Sequence, residues 1–415
     1  MKRIRAVTAS YVDVVRAPSY FPLWLAQLIS AFGDTLHYIA LVVLVFQLTG
    51  RGVAVAGLVA AEIIPVLLLG PVAGVVIDRF NRKGVLIAAD LVRAGLVLSL
   101  VSPQGTWHAY VVAAGLAAGN TFFNPTVQAV IPTLTTEEQR LAANSVAWST
   151  GRLVQIVGAA TAGSLIATIG VEAVFVINAA TFAASALLLL RLPLAAHAGA
   201  ISDATRRGLG HFFADARDGL AFARKDRFVS RLLLVQSLAS FGAGATGAML
   251  IVLSERHLNL SPAKFAWLIA AIGAGALLGP FIPSLFARDY RDARWLFVPY
   301  VIRGGCDLLL ALFTPLPIAI AILFVYGLNT STGMVVFNAT LQGAVPDRVR
   351  GRVFTLLDVS WQAARLLSLG AGGLIVDWLG IRALFSVGGT LLALSGLLGL
   401  LLLGRHDFRR SDVAA

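Results

Sequence analysis

Apolar runs of membrane-spanning length recur along nearly the whole chain, and they leave few alternatives for its fold. They fall at about 21–47, 53–76, 85–101, 108–130, 143–168, 171–190, 229–253, 265–286, 295–313, 317–337, 353–376 and 383–403. A helix rising 1.5 Å per residue needs about 20 apolar residues to cross a hydrocarbon layer about 30 Å thick. Twelve such runs predict an all-α protein that crosses the membrane twelve times. Gly and Pro punctuate them at Thr49-Gly50, Ser102-Pro103-Gln104-Gly105, Gly170, Pro315 and Gly380. Composition agrees: 58% of residues are hydrophobic and only 13% charged, where a soluble domain carries about 25% charged residues. The first run, beginning at Phe21, is too long for the apolar core of a cleaved signal peptide and reads as the first spanning helix.

The net charge of +12 would suggest a nucleic-acid partner in a soluble protein. Here its distribution gives another reading. With both termini placed in the cytoplasm, 25 of the 33 Lys and Arg fall on that side, in the N-terminus, the central linker, the C-terminus and alternate loops. Four (Arg51, Arg256, Lys264, Arg382) fall on the other side, and Arg93, Arg152, Arg303 and Arg365 fall within runs. Such a bias sets orientation in a membrane and accounts for most of the charge without nucleic acid. One cysteine, Cys306, excludes a disulfide framework, and six scattered histidines have no metal-ligand spacing. No phosphate-binding Gly-x-x-x-x-Gly-Lys loop is present, which argues against a nucleotide-driven pump. No cofactor, metal or enzymatic chemistry is expected.

The two halves of the chain echo each other. Phe123-Asn124-Pro125-Thr126-Val127-Gln128-Ala129-Val130-Ile131-Pro132 matches Phe337-Asn338-Ala339-Thr340-Leu341-Gln342-Gly343-Ala344-Val345-Pro346 at five of ten positions, offset 214. Gly70-Pro71 and Arg79-x-x-Arg82 return as Gly279-Pro280 and Arg288-x-x-Arg291, with Ala287 in place of the Asp. Val92-Arg93-Ala94-Gly95 returns as Ile302-Arg303-Gly304-Gly305, and Arg152 as Arg365. Offsets near 210 imply six helices duplicated in one orientation, with a substrate site at the repeat interface. The expected organisation is an N-terminal six-helix bundle (1–192), a cytoplasmic linker (193–228) and a C-terminal bundle (229–415). Within the linker, Leu209, Phe212, Phe213, Ala216 and Leu220 recur at helical spacing. They predict either a helix on the membrane surface or a connector packed on the protein.

Between the second and third runs, Gly70 and Gly74 precede a charged turn, Asp78-Arg79-Phe80-Asn81-Arg82-Lys83. This pattern, Gly-x-x-x-Asp-Arg-x-x-Arg-Lys, resembles the loop-2/3 signature of the major facilitator superfamily of transporters. Asn81 stands where that signature usually has Gly, and Asn tolerates a left-handed turn. Leu23-Trp24-x-x-Gln27-x-Ile29-Ser30-x-Phe32-Gly33-Asp34, the Phe123–Pro132 block with Ala142-Ala143-Asn144-Ser145, and Arg350-Gly351-Arg352-Val353 resemble the bacterial exporter branch. That branch holds enterobactin-type siderophore exporters and macrolide efflux pumps. Gly151, Gly158 and Gly163 in the fifth run resemble the glycine-rich antiporter signature, with Ala159 where Pro is expected; close packing is the simpler reading. The resemblance implies two six-helix bundles related by a pseudo-two-fold axis and a monomer in the bacterial inner membrane. It also implies proton-coupled antiport of an amphipathic drug or siderophore-like solute. A lysolipid or lipid flippase of the same fold and a non-transporting membrane sensor are the alternatives.

Ionisable groups inside a membrane cost roughly 2.5–3.5 kcal/mol each at a helix centre and are therefore usually paired or functional. Asp34 sits mid-run with His37 and Tyr38 at i+3 and i+4, on one face. It is the candidate proton carrier, a helix-packing carboxylate being the competing reading. Glu62, just before Ile64-Pro65, is a second protonation or cation-recognition candidate, or else a carboxylate facing a small polar pocket. Asp90 and Arg93 share a face of the third run and are expected to join Gly74, Asp78, Arg79, Arg82 and Lys83 in a cytoplasmic gate network. A static packing network is the competing reading. Arg303 and Asp307, spaced i,i+4, are expected to pair. Asp358 and Arg365 lie on the eleventh run, Arg365 being the repeat partner of Arg152 and a candidate counter-ion for an anionic substrate. The aromatics Trp24, Phe32, Tyr38, Phe122, Phe123, Phe241, Phe324, Tyr326, Phe337 and Trp361 suit a greasy cavity wall, with a lipid-facing or core place as the competing reading for each. The implied partners are the solute, protons and membrane lipids.

Overall fold

The computed structural model describes residues 13–194, 220, 226–286, 292–345 and 347–404. Apart from Leu220, the linker helix expected over 209–225 lies outside the described residues, as do the basic loop at 288–291, the surroundings of Gly74 and the side chain of Asp78. Among the described residues every long element is an α-helix. In order they are α1 (Phe21–Thr49), α2 (Gly52–Arg79), α3 (Arg82–Ser99), α4 (Thr106–Leu134), α5 and α6 (the arms 137–169 and 171–189 of Glu137–Leu189) and α7 (Arg227–Ala248). There follow α8 (Leu250–Arg256), α9 (Pro262–Leu278), α10 (Phe281–Phe286), α11 (Ala293–Leu312), α12 (Leu316–Ala344), α13 (Asp347–Leu379) and α14 (Ile381–Leu403).

Nine stretches among the described residues are long and apolar enough to cross a membrane, and α5 with α6 count there as one. α3 is not among them, because Arg82, Lys83, Asp90 and Arg93 fall within its 18 residues. α4 is not either; Asn, Thr, Gln and Pro dilute its apolar residues. The order is compatible with twelve crossings. Large apolar side chains, including Leu285, Leu367, Trp378 and Leu401, stand on the outside, as lipid-facing residues do.

The break between α5 and α6 is Gly170, at φ 84° and ψ 170°. Its repeat partner Gly380 divides α13 from α14 at φ 85° and ψ 166°. Only glycine enters that region without strain, so one residue makes the same turn in each half.

The chain divides into two compact units. The first comprises Met1–Leu48 and Ala61–Leu209, the second Thr49–Ala60 and Gly210–Ala415. The first turns of α2 thus group with the second unit. There Gly52 N–H donates to Asp377 Oδ1 at 3.0 Å, and a Cβ on Gly373 would come 2.8 Å from Val53 Cα.

The first unit has a core around Tyr20, Leu23, Leu86, Phe123, Val127, Ile131 and Leu189. Tyr20 OH donates to Ala143 O at 3.0 Å, fastening the start of α1 to α5. Gly33 lets α1 lie against α6, since a Cβ there would overlap Thr181 and Asn178. The second unit has its core around Val229, Leu232, Leu296, Phe297, Leu341, Leu357 and Leu392. Gly242 plays the part of Gly33: a Cβ would come 2.8 Å from Leu392 N, bringing α7 against α14. α11 meets α14 backbone to backbone where Gly304 faces Gly389. Small residues at such crossings are how helices associate in lipid, where no hydrophobic drive separates helix from acyl chain.

Candidate transport site

α3 brings Asp90 and Arg93 onto one face, three residues apart, and about 16 Å of helix separates Arg93 from the start of α3. Both side chains are buried, Arg93 at 1% exposure and Asp90 at 0%. They form an ion pair between Arg93 Nη2 and Asp90 Oδ1. The other Asp90 oxygen accepts from Ser185 Oγ of α6 at 2.6 Å. Arg93 Nη1 donates to Asn120 Oδ1 of α4, and Nε donates to Ala89 O at 3.4 Å. The guanidinium is stacked between two rings, 4.4 Å from the centroids of both Phe123 of α4 and Phe182 of α6. Gly119 leaves room for the arginine stem; a Cβ would come 2.8 Å from Arg93 Cγ. Three helices therefore hold this one cation, with hydrogen bonds and cation–π contacts sharing its charge.

A second carboxylate reaches the same arginine from α1. Asp34 Oδ2 lies 3.7 Å from Arg93 Nη1, and Asp34 Oδ1 lies 3.9 Å from His37 Nδ1. Asp34 differs from Asp90 in access: its side chain is 29% exposed. It lines two cavities of the first unit. One, about 150 Å³, is walled by Trp24, Gln27, Phe123, Asn124 and Thr150. The other, about 550 Å³, is walled by His37, Tyr38, Glu62, Asn120 and Pro125. Asp34, His37, Tyr38 and Glu62, grouped from the sequence, do share a cavity.

Among the described residues Asp90 and Arg93 pair with each other and with Asp34, and not with the expected network's Arg79, Arg82 or Lys83. The cause is depth: a buried arginine in mid-helix finds acceptors on neighbouring helices before it reaches a loop. The loop cations instead hold helix ends. Arg82 Nη1 donates to Ala129 O at 3.0 Å, and Lys83 Nζ to Leu190 O at 2.7 Å and Leu192 O at 3.0 Å. Lys83 thus satisfies carbonyls just past the C-terminus of α6, where a cation is favoured. Arg79 is exposed. Asn81 is not left-handed; at φ −61° and ψ 114° it caps α3, its Oδ1 accepting from Lys83 N–H at 3.0 Å. An N-cap role is open to Asn without any turn of special hand.

The expected Arg303–Asp307 pair also does not form. Arg303 of α11 donates from Nη2 to Tyr326 OH of α12 at 2.9 Å and lies 4.7 Å from that ring's centroid. Asp307 is turned to Thr246 of α7. A partner across a helix interface outcompetes an i,i+4 pair worth only about 0.2–0.5 kcal/mol. Of the α5 glycines, Gly158 packs against Thr35 of α1, where a Cβ would meet Thr35 at 3.1 Å. Gly151 has open space and lines the smaller cavity, and Gly163 is buried. Arg152 Nη1 donates to Gln155 Oε1 at 2.9 Å. Arg365 is half-buried beside Gly244. Asp358 is exposed on the wall of a cavity of about 420 Å³ in the second unit, together with Arg303, Phe337 and Trp361. Sequence reading passed over Asn120, Ser185 and Phe182. The first two carried a signal, as polar residues inside apolar helices; Phe182 carried none.

A family model described as "Transmembrane secretion effector" matches residues 10–412, and the chain belongs to this family of the major facilitator superfamily. It is 28% identical over 382 residues to the uncharacterized MFS-type transporter YfiS of Bacillus subtilis, covering 91% of each chain. It is 24% identical over 383 residues to macrolide efflux protein A of Streptococcus pyogenes, covering 90% of this chain and 93% of the relative. The fold is similar to the crystal structure of a bacterial homologue of the iron transporter ferroportin in its inward-facing state. That likeness has a TM-score of 0.72 and 15% identity, over 94% of this chain and all of the other. The protein is an integral membrane transporter and not an enzyme.

Proposed function

We propose that the protein exports an amphipathic small molecule, drug or siderophore-like, from the bacterial cytoplasm in exchange for protons, by alternating access. Both termini would face the cytoplasm. The observation that carries this reading is the unequal sharing of Arg93 by two carboxylates. Asp90 has no exposure and both its oxygens are bonded. Asp34 opens onto two cavities and is held only at 3.7 Å. A proton arriving from a water-filled cavity therefore goes to Asp34. Protonated Asp34 no longer attracts Arg93, which stays neutralised by Asp90; deprotonated Asp34 draws towards it. A ligand that favours one of the two arrangements shifts the population of the whole transporter. Arg82 and Lys83, with the exposed Arg79 beside them, supply a cytoplasmic latch, the first two through their bonds to helix ends, and Glu62 on the larger cavity wall supplies a second polar contact for solute or proton. Export of a macrolide by the streptococcal relative, as its name states, supports the direction.

The test is transport in inside-out vesicles with Asp34→Asn. Proton-driven accumulation should fall at least tenfold, while counterflow of the same solute, which needs no net proton movement, persists. Proton-driven transport at the wild-type rate would remove Asp34 from coupling. A broad drug panel with and without a protonophore identifies the solute; unchanged susceptibility throughout would favour a lipid substrate or a sensor.

A further inference from the structure

The two halves keep the same buried arginine but not its partners. The echo that aligns Arg93 with Arg303 places Tyr300 where Asp90 stands. Phe32-Gly33-Asp34 aligns with Phe241-Gly242-Ala243, a register supported by the matching helix contacts of Gly33 and Gly242. The offset that aligns Phe123 with Phe337 places Met334 where Asn120 stands. Both carboxylates and the amide that hold Arg93 are thus replaced by a phenol, a methyl and a thioether.

Arg303 is 7% exposed, yet no carboxylate of a described residue lies within ion-pair distance of it. Nη2 has Tyr326 OH, while Nε is buried without a hydrogen-bond partner. Tyr300, in the Asp90 position, gives its hydroxyl to Gln236 Oε1 at 2.6 Å. Asp307, one turn on in α11, acts on Arg303 through space but forms no ion pair with it. A buried cation with no directly bonded counter-ion is costly, and here the cation stands on the wall of a 420 Å³ cavity, a size that suits a small molecule. Four aromatics, Tyr300, Phe337, Phe354 and Trp361, share the wall with the neutral polar side chains of Gln236, Thr330, Asn338 and Gln362, and Asp358 stands exposed on it.

We propose that this cavity binds the acid group of an amphipathic solute at Arg303, with the aromatic wall taking its apolar body. The acceptor that the first unit supplies from its own chain is, in the second unit, supplied by the ligand. A planar guanidinium with free N–H groups suits a carboxylate or a sulfonate. Asp358 repels an anion elsewhere on the wall, so the acid group binds only at the arginine. This names the substrate class within the export reading and rests on it.

The test is calorimetric titration of the purified full chain with 1-naphthylacetate and, as a neutral match, its methyl ester. Wild type should bind the acid at least tenfold more tightly than the ester. Arg303→Gln should abolish the preference. Tyr300→Asp, which restores the carboxylate found beside Arg93, should abolish it too while the arginine remains. Equal affinity of wild type for acid and ester, or binding of neither, overturns the proposal whatever the variants do. A preference that survives both variants overturns it as well. Failure here with intact proton-driven export would leave the export reading standing; acid binding with wild-type transport in Asp34→Asn would sink the coupling reading alone.

Discussion

Arg93 and Arg303 occupy matching positions in matching helices, and only one of them is satisfied by its own protein. Around Arg93 the chain has gathered two carboxylates, an amide and two aromatic rings from α1, α3, α4 and α6. Around Arg303 it supplies one hydrogen-bonding phenol and, without an ion pair, the carboxylate of Asp307. Duplication preserved the costly element, a buried cation, and let its environment diverge. One copy became a self-contained charge network. The other faces a cavity with bonding capacity to spare.

The contrast is open to direct attack, and the largest effect should come from removing each arginine in turn. Arg93→Met leaves Asp90 buried without its counter-charge, and breaking a buried pair in this way costs about 3–5 kcal/mol. Arg303→Met loses a hydrogen bond and a cation–π contact, worth about 1–2 kcal/mol together. Thermal unfolding of the purified variants should therefore show a much larger drop in melting temperature for Arg93→Met. Equal drops would mean that the two arginines are held alike.

The paired glycines give a smaller, second difference. Gly242→Ala drives a methyl against the backbone of α14, which cannot yield, and overpacking of this kind costs about 1–3 kcal/mol. Gly33→Ala meets Thr181 Oγ1 and Asn178 Oδ1, which can rotate away at the cost of their mutual hydrogen bond, and Thr181 Cβ at 3.0 Å, which cannot. The same melting assay should rank Gly242→Ala as the more destabilising; the reverse order would show that α1 and α6 are the more rigid pair.

The smallest effect should be one in which the units agree. Asn81 Oδ1 caps α3 through Lys83 N–H, and Asp292 Oδ1 caps α11 through Arg294 N–H at 2.9 Å. Replacing either cap by Ala should cost about 0.5–2 kcal/mol, with little difference between them. A large gap would show that one unit's stability depends on the start of its third helix and the other's does not.

The helical framework was legible because membrane crossing imposes a length, and because Gly170 and Gly380 announce breaks that no other residue makes as easily. The charge sites were legible only as residues, not as pairs. Asp90 and Arg93 stand three apart and do bond, so local spacing served there. The same logic failed for Arg303 and Asp307, four apart. At such sites the deciding contacts come from other helices: Asp34 lies 59 positions before Arg93 and Ser185 lies 95 after Asp90. Spacing along one helix carries no information about which face a neighbouring helix presents. Lys83 shows the same gap, since its carbonyl partners lie more than a hundred residues on.

The single-residue turn at Gly170 has a mechanical side. With no slack between α5 and α6, neither rod can slide lengthwise without dragging the other, whatever angle the glycine lets them take. Gly380 imposes the same coupling on α13 and α14, so each unit carries one pair of helices whose axial shifts are tied.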